Sequence, residues 1–166
     1  MEFNIWVIFV AALIPLITGA VWYNPKVFGN AWLKTSGLTE EEAQSGNMAV
    51  IFGLSYVFGL FLAAMLLPIV IHQFAVSSLM ISEVDFGVAG SESHTYFAEI
   101  MERMGDRNRD FGHGSFHGAF AGFLFALPVI GTISLFERRG FKYIAIHTGY
   151  WMLTLALMGG IIGQWG

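Results

Sequence analysis

An uncharged run over residues 115–136 limits what this chain can fold into more than any other feature of its sequence. A helix rises about 1.5 Å per residue, so these 22 residues would cross a hydrocarbon layer of about 30 Å. Lipid offers no water to backbone N–H and C=O groups, and a helix satisfies those groups within one segment. The run therefore predicts a membrane-spanning helix.

Three further apolar runs, over residues 3–23, 48–71 and about 143–162, predict three more spans. The chain is 55% hydrophobic and 12% charged, with a mean hydropathy of +0.63, which is typical of a membrane protein. We therefore expect an all-α fold, in which residues 1–166 form one integral membrane domain built as a four-helix transmembrane bundle. Pro15 should bend the first helix, because proline removes a backbone hydrogen bond.

The connections between the spans carry signals of their own. Apolar residues at helical spacing between residues 27 and 32 predict a short helix that lies in the membrane interface after the first span. Thr39 and Glu42 match a capping box, which starts a helix before the second span. Residues 74–112 form an acidic extramembrane loop, and apolar residues at helical spacing from Tyr96 to Met104 predict a short helix within it.

Small residues recur along the predicted spans at intervals that place them on one helix face. Such a face lets a second helix approach closely, so that van der Waals packing holds the two together. We expect these residues to pack the chain's own helices, and they could also serve self-association or another membrane subunit. They are Ser55, Gly59 and Ala63 in the second span, Gly114, Gly118, Gly122 and Ala126 in the third, and Gly159, Gly160 and Gly163 in the fourth.

Three histidines are predicted at the acidic-loop end of the bundle. His113 and His117 lie four residues apart and share one helix face, and His72 follows the second span. Such a pair, with a third ligand from a neighbouring helix, could hold a divalent metal ion, or one of them could be an axial haem ligand. The alternative is a structural role, in which these histidines bond a loop or lipid headgroups and the protein has no cofactor.

Several classes of function are disfavoured by what the sequence lacks. The chain has no cysteine, which excludes disulfides, thiolate metal sites and cysteine nucleophiles. Its net charge of −4, without a long basic run, argues against a nucleic-acid partner. No Asp or Glu lies inside a predicted span, unlike in most ion-coupled transporters and proton pumps. No catalytic motif is present either, so we expect that the protein is not an enzyme.

One string of aromatic residues, glycine and proline resembles a known family. The residues that carry this resemblance are Trp22, Tyr23, Pro25, Phe28, Gly29 and Trp32, with Glu137, Arg138, Arg139 and Tyr150 further along the chain. Together they resemble the bacterial membrane family catalogued as domain of unknown function 1761. The resemblance implies a small four-helix membrane protein without an assigned activity, located in the bacterial inner membrane.

The distribution of basic residues predicts an orientation. The two short loops hold Lys26, Lys34, Arg138, Arg139 and Lys142, against three arginines in the acidic loop. Because basic residues favour the cytoplasmic side, we expect the termini and the acidic loop to face outward.

The sequence favours a non-enzymatic accessory or interaction subunit that packs through its glycine-rich helix faces, with the lipid bilayer as its surroundings. One alternative is a metal- or haem-binding membrane redox protein that uses His72, His113 and His117. Another is a small-solute channel or carrier, whose polar cavity would be lined by Thr18, Ser55, Tyr56 and Thr148.

Overall fold

The computed structural model describes residues 3–166, and in this part of the chain it contains helices and no strand, which confirms the all-α prediction. In chain order the elements are α1 (Trp6–Ala11), α2 (Ile14–Trp22), a π-helical turn (Pro25–Gly29), α3 (Asn30–Ser36), α4 (Glu40–Gln44), α5 (Met48–Val70), α6 (Gln73–Met80), α7 (Glu92–Met104), α8 (Phe111–Ala121), a second π-helical turn (Gly122–Ala126), α9 (Leu127–Phe136) and α10 (Phe141–Trp165).

Three helices are long and apolar enough to cross a membrane. They are the second helix (Met48–Val70), the third helix (Phe111–Phe136) and the fourth helix (Phe141–Trp165). The first helix (Trp6–Trp22) becomes a fourth candidate together with the segment Pro25–Ser36, to which it is bent by 55°. We call Pro25–Ser36 the elbow. A single interfacial helix was predicted there, but the elbow consists of a π-helical turn followed by α3.

The third and fourth helices are longer than the sequence predicted. The third helix begins at Phe111 rather than at residue 115, because the Asp110 side chain accepts a hydrogen bond from the His113 backbone N–H at 2.8 Å and caps the helix. The fourth helix runs from Phe141 to Trp165, beyond the predicted limits of 143 and 162. The acidic loop correspondingly ends earlier, and α6 and α7 lie within it.

The first helix is interrupted just before Pro15, where a bend was predicted, and the interruption faces protein. Ala12 is fully buried, and the backbone N–H of Leu13 donates three residues back rather than four. This shift leaves the Phe9 carbonyl free for another donor, and the Tyr56 hydroxyl of the second helix donates to it at 3.4 Å. A neighbouring helix therefore satisfies a backbone group that the bend releases, as a span in lipid requires.

Glycines of the third helix lie directly against the backbone of the fourth. A Cβ added at Gly118 would overlap the Leu155 carbonyl, and Gly114 and Gly159 exclude a Cβ from each other in the same way. The remaining contacts of this face place Gly122 against Trp151 and Met152, Gly160 against Ser115 and Phe111, and Gly163 against the Asp110 carbonyl. The predicted small-residue face of the third helix is thus used within the chain.

Two predicted packing residues depart from this arrangement. Ser55 lies in a groove beside the first helix, while Gly59 and Ala63 of the same helix are buried. Ala126 is only half-buried, because the π-helical turn from Gly122 holds an extra residue and shifts the four-residue repeat out of register.

The fourth helix is the centre of the bundle. Half of its most apolar stretch is buried (50%), against 17% for the second and for the third helix. Leu155, Met158 and Ile162 pack from it into a core that also holds Leu66 and Val70 of the second helix. Side chains on the fourth helix therefore contact the other three.

Replacing Gly118 by alanine should destabilise the protein by about 1–3 kcal/mol or more, because the added methyl group meets the backbone of the fourth helix rather than a movable side chain. Gly131→Ala on the same helix is the matched control, since a Cβ there has nothing within 4 Å. Thermal unfolding of both variants in detergent measures the difference. Equal melting temperatures would contradict the glycine packing described above.

The capping box predicted at Thr39 is present. The Thr39 hydroxyl accepts from the Glu42 N–H at 3.2 Å, and the Glu42 carboxylate accepts from the Thr39 N–H at 2.8 Å. The backbone hydrogen bond from Thr39, and then its hydroxyl, hold the pKa of the fully exposed Glu42 carboxyl below its ordinary value of 4.5.

The lowered pKa of Glu42 predicts how the start of α4 responds to pH. Its contribution to helix stability is present above the ordinary pKa, and it is lost as the pH falls through the lowered value. Thr39→Ala should return the pKa of Glu42 towards 4.5. NMR titration of the Glu42 carboxyl carbon in both proteins measures this change, and an identical titration curve in the variant would count against the capping box.

Candidate functional site

His72, His113 and His117 come together at the acidic-loop end of the bundle, and we call them the histidine triad. The second helix ends at Val70, and His72 immediately precedes α6, which departs from the second helix there. His113 and His117 lie in the first turns of the third helix, whose start is fixed by the Asp110 cap. Two helix ends therefore position the triad.

The imidazole rings of the triad are in direct contact. The Nε2 atoms of His72 and His113 are 3.0 Å apart. The centre of the His117 ring lies 4.4 Å from that of His113 and 4.8 Å from that of His72. One ligand nitrogen from each ring can be chosen so that all three lie within 4.8 Å of one another. His72 is exposed and the other two are half-buried, so a small ion can reach the site.

The rings of the triad bond to each other and not to the loop. Within residues 3–166, the one side-chain hydrogen bond of these histidines joins His72 to His113. The nearest other ring is Phe116, whose centre is 5.5 Å from that of His117. A histidine that anchors a loop would bond to that loop, and this geometry shows no such bond in the described part of the chain.

Three imidazole nitrogens at these distances match the donor set of a transition-metal ion. With metal–nitrogen distances of about 2.0–2.1 Å, tetrahedral ligands stand about 3.3 Å apart, close to the separation of the His72 and His113 nitrogens. Three protein ligands leave the fourth position of a tetrahedral ion open for water or another ligand.

The acidic loop does not add carboxylates to the triad within the described residues. Its residues 83–110, which we call the acidic arm, instead form a separate cleft of about 490 Å³ that Glu83, Asp85 and Glu92 line. The Ser93 hydroxyl donates to Asp85 at 2.6 Å, and this bond keeps the pKa of the Asp85 carboxyl below its ordinary value. The histidine triad and the carboxylate-lined cleft of the acidic arm are therefore chemically distinct sites.

Gln73, next to the triad, attaches the end of the acidic arm to the bundle. Its buried amide donates to the carbonyl of Met104 at 2.9 Å and to that of Arg107 at 3.0 Å. Arg109 in turn donates to the carbonyl of Gly166. This role of Gln73 was not predicted from the sequence, although a lone amide between two apolar segments is a recognisable sign of a buried hydrogen-bonding group.

The aromatic motif at the elbow attaches the first helix to the fourth. Trp22 donates its indole N–H to the Ile146 carbonyl at 3.1 Å, and the Tyr23 hydroxyl hydrogen-bonds His147 Nδ1 at 2.8 Å. Trp22 also packs against Phe28 with tilted rings, whose centres are 4.4 Å apart. The remaining members follow from this fold: Trp32 packs on Tyr23, Pro25 begins the π-helical turn, and Gly29 lies against the Tyr23 carbonyl.

The second part of the motif holds the elbow from the other side. Arg139 donates to the Thr35 carbonyl at 3.5 Å, lies 3.7 Å from the Glu137 carboxylate and stacks over the Tyr143 ring at 5.7 Å. Arg138 adopts the left-handed conformation with φ 57°, which turns the chain between the third and fourth helices. These contacts give the residues of the family motif a structural role at this end of the bundle.

A buried polar seam joins the first helix to the fourth further into the bundle. Tyr150 donates to the Pro15 carbonyl at 2.8 Å, and the hydroxyls of Thr18 and Thr154 hydrogen-bond at 2.8 Å. Tyr150 belongs to the family motif, whereas no role of Thr154 was predicted from the sequence. Its spacing from Tyr150 on an apolar helix was the available signal.

A groove of about 620 Å³ lies between the first, second and fourth helices. Of the four residues predicted to line a polar channel, Ser55 lines this groove. Thr18 is buried in the polar seam, Tyr56 bonds to the first helix, and the buried Thr148 hydroxyl has no protein partner in the described residues. The groove itself is mainly apolar.

Comparison with known proteins identifies a family but no activity. The family model described as "Protein of unknown function (DUF1761)" matches residues 6–163, nearly the whole chain, which confirms the resemblance drawn from the motif. No curated protein and no solved structure matches the chain.

Gln73→Ala should loosen the end of the acidic arm, because it removes two hydrogen bonds that contribute roughly 0.5–1.5 kcal/mol each. Trypsin should then cut faster at Arg103, Arg107 and Arg109, since cleavage follows local opening. Ser78→Ala is the control, because the Ser78 hydroxyl bonds only within its own helix. The same cleavage rate in both variants would show that Gln73 does not hold the arm.

Proposed function

Given that the chain belongs to the DUF1761 family, whose description names no activity, we propose from its geometry that it binds a divalent transition-metal ion at the membrane surface. The ligands are His72, His113 and His117. The observation that supports this function is their convergence from two helix ends onto one point, with a separation of 3.0 Å between the Nε2 atoms of His72 and His113.

The absence of loop contacts within the described residues favours metal binding over a structural role. Three histidines that served to anchor a loop would hydrogen-bond to the backbone or side chains of that loop. These rings instead face each other, and only one hydrogen bond joins them. A shared cation would use all three nitrogens at once.

The donor set selects the class of ion. Neutral imidazoles suit zinc, copper and nickel, whereas magnesium and calcium prefer oxygen ligands, and no carboxylate joins the triad in the described residues. A haem fits less well than a single ion. A haem would use one of these imidazoles as its ligand, whereas three imidazole nitrogens within 4.8 Å of one another suit a small ion that binds all three.

The surroundings of the triad favour cation capture. Residues 83–110 hold seven acidic residues and three arginines, so the loop that leads into the site attracts cations. The basic residues at the other end of the bundle favour the cytoplasm, so the triad would face outward, where the protein would take up its metal. An open fourth ligand position suits exchange of the ion with a partner, because a fully ligated structural site retains it.

An accessory role through glycine faces has less support as a separate function. Gly114, Gly118 and Gly122 meet the fourth helix of the same chain and are not available to another subunit. An exchange partner would instead approach the exposed side of His72.

The metal site is tested by titrating metal-free protein in detergent with Zn²⁺ and Cu²⁺ against a chromophoric chelator. We expect one ion per chain. The double variant His113→Ala/His117→Ala should weaken binding by more than the roughly 10–100-fold that follows loss of an outer-shell partner, because it removes two ligands themselves.

His94→Ala is the matched control, since His94 lies on the acidic arm outside the triad. It should bind as the unmodified protein does. Substitution with Co²⁺ adds a second readout, because tetrahedral nitrogen ligation gives strong visible absorption. Binding that is unchanged in the double variant, or that is lost equally in His94→Ala, would refute the proposed site.

A further inference from the structure

The groove between the first, second and fourth helices is a second feature that the metal site does not use. Two kinds of residue dominate its lining. Small residues come from the first and second helices (Gly19, Ala20, Ser55 and Gly59), and aromatic rings come from Tyr23, Phe52, Phe58, Tyr150 and Trp151. Its volume of about 620 Å³ falls within the range of roughly 300–1,000 Å³ that ligand sites occupy.

The length of the groove corresponds to one leaflet of a bilayer. Along the second helix it extends from Ile51 to Leu62, a distance of eleven residues. At about 1.5 Å per residue this is about 16 Å, or half of a hydrocarbon layer of about 30 Å. One end lies near the elbow at Tyr23, and the other reaches the middle of the helices.

The chemistry of the lining selects a hydrocarbon chain. In helices that cross a membrane, such a groove opens to lipid, and water is not stable in an apolar cavity. Its lining is mainly apolar over the length of one leaflet, which suits an extended, unbranched hydrocarbon chain. At the elbow end, Lys26 is exposed three residues after Tyr23 and offers a positive charge to a phosphate group.

We propose that this groove binds one acyl chain of a membrane phospholipid from the leaflet on the elbow side. The acyl chain lies in the groove from the level of Tyr23 to that of Leu62, and the phosphate group lies at the elbow near Lys26. The site is independent of the histidine triad, which lies at the opposite end of the bundle.

Gly19 provides the means to fill the groove without disturbing the backbone. A Cβ at Gly19 would meet the nearest atom, on Tyr150, at an ordinary contact distance of 3.6 Å, so a larger side chain would extend into the groove. Gly53→Leu on the second helix is the matched control, because a Cβ at Gly53 has nothing within 4 Å. Ser55→Phe fills the groove from the second helix instead of the first, and it guards against a folding defect in the Gly19 variant.

The experiment measures the lipid that remains bound to each purified protein after exhaustive washing in detergent, by native mass spectrometry with extraction and identification of the lipid. We expect about one phospholipid per chain in the unmodified protein and in Gly53→Leu. Gly19→Leu and Ser55→Phe should lose at least tenfold of this lipid while they keep their thermal unfolding transition.

Equal retention in all four proteins would overturn the proposal, since it would show lipid bound elsewhere on the surface. Absence of lipid from the unmodified protein would overturn it as well, and so would retention of an isoprenoid or another lipophile in place of a phospholipid. None of these results depends on whether the triad binds metal.

Discussion

Contact between the backbones of the third and fourth helices is the interaction on which the rest of the bundle depends. In lipid the hydrophobic effect does not hold two helices together, so association depends on how closely they approach. Gly114 and Gly118 remove the side chains that would hold the helices apart, and the backbone at Leu155 and Gly159 fills the space. The fourth helix is thereby fixed at the centre, where the other helices contact it.

This central position explains why both ends of the bundle carry defined polar arrangements. Residues of the fourth helix hydrogen-bond to Trp22 and Tyr23, just before the elbow, at one end of the bundle, and Thr154 meets Thr18 further inside. At the other end the glycine face of the third helix turns towards the fourth, so the neighbouring face with His113 and His117 turns towards His72. The packing of the third helix against the fourth thus orients the histidine triad as well.

Much of this arrangement could be predicted from the sequence, because long apolar runs and regularly spaced glycines leave few alternatives. Apolar length predicted the long helices, glycine spacing predicted which face packs, and the placement of His72 beside His113 and His117 followed from the order of the helices. The missed features involve single polar groups. Asp110 was counted among the loop acids, although its carboxylate caps a helix, and the roles of Gln73 and Thr154 depend on partners distant in sequence. Composition and periodicity do not specify which carbonyl an amide will meet.

The π-helical turn at Gly122–Ala126 has a consequence for how this family can vary. A π turn holds one residue more than an α turn, so a single deletion there would restore regular geometry without breaking the helix. Everything on one side of the deletion would rotate by about 100° relative to the other side, since an α-helix has about 3.6 residues per turn. Insertion or deletion of one residue at this point would therefore turn a different strip of the helix surface outward while the helix stays continuous.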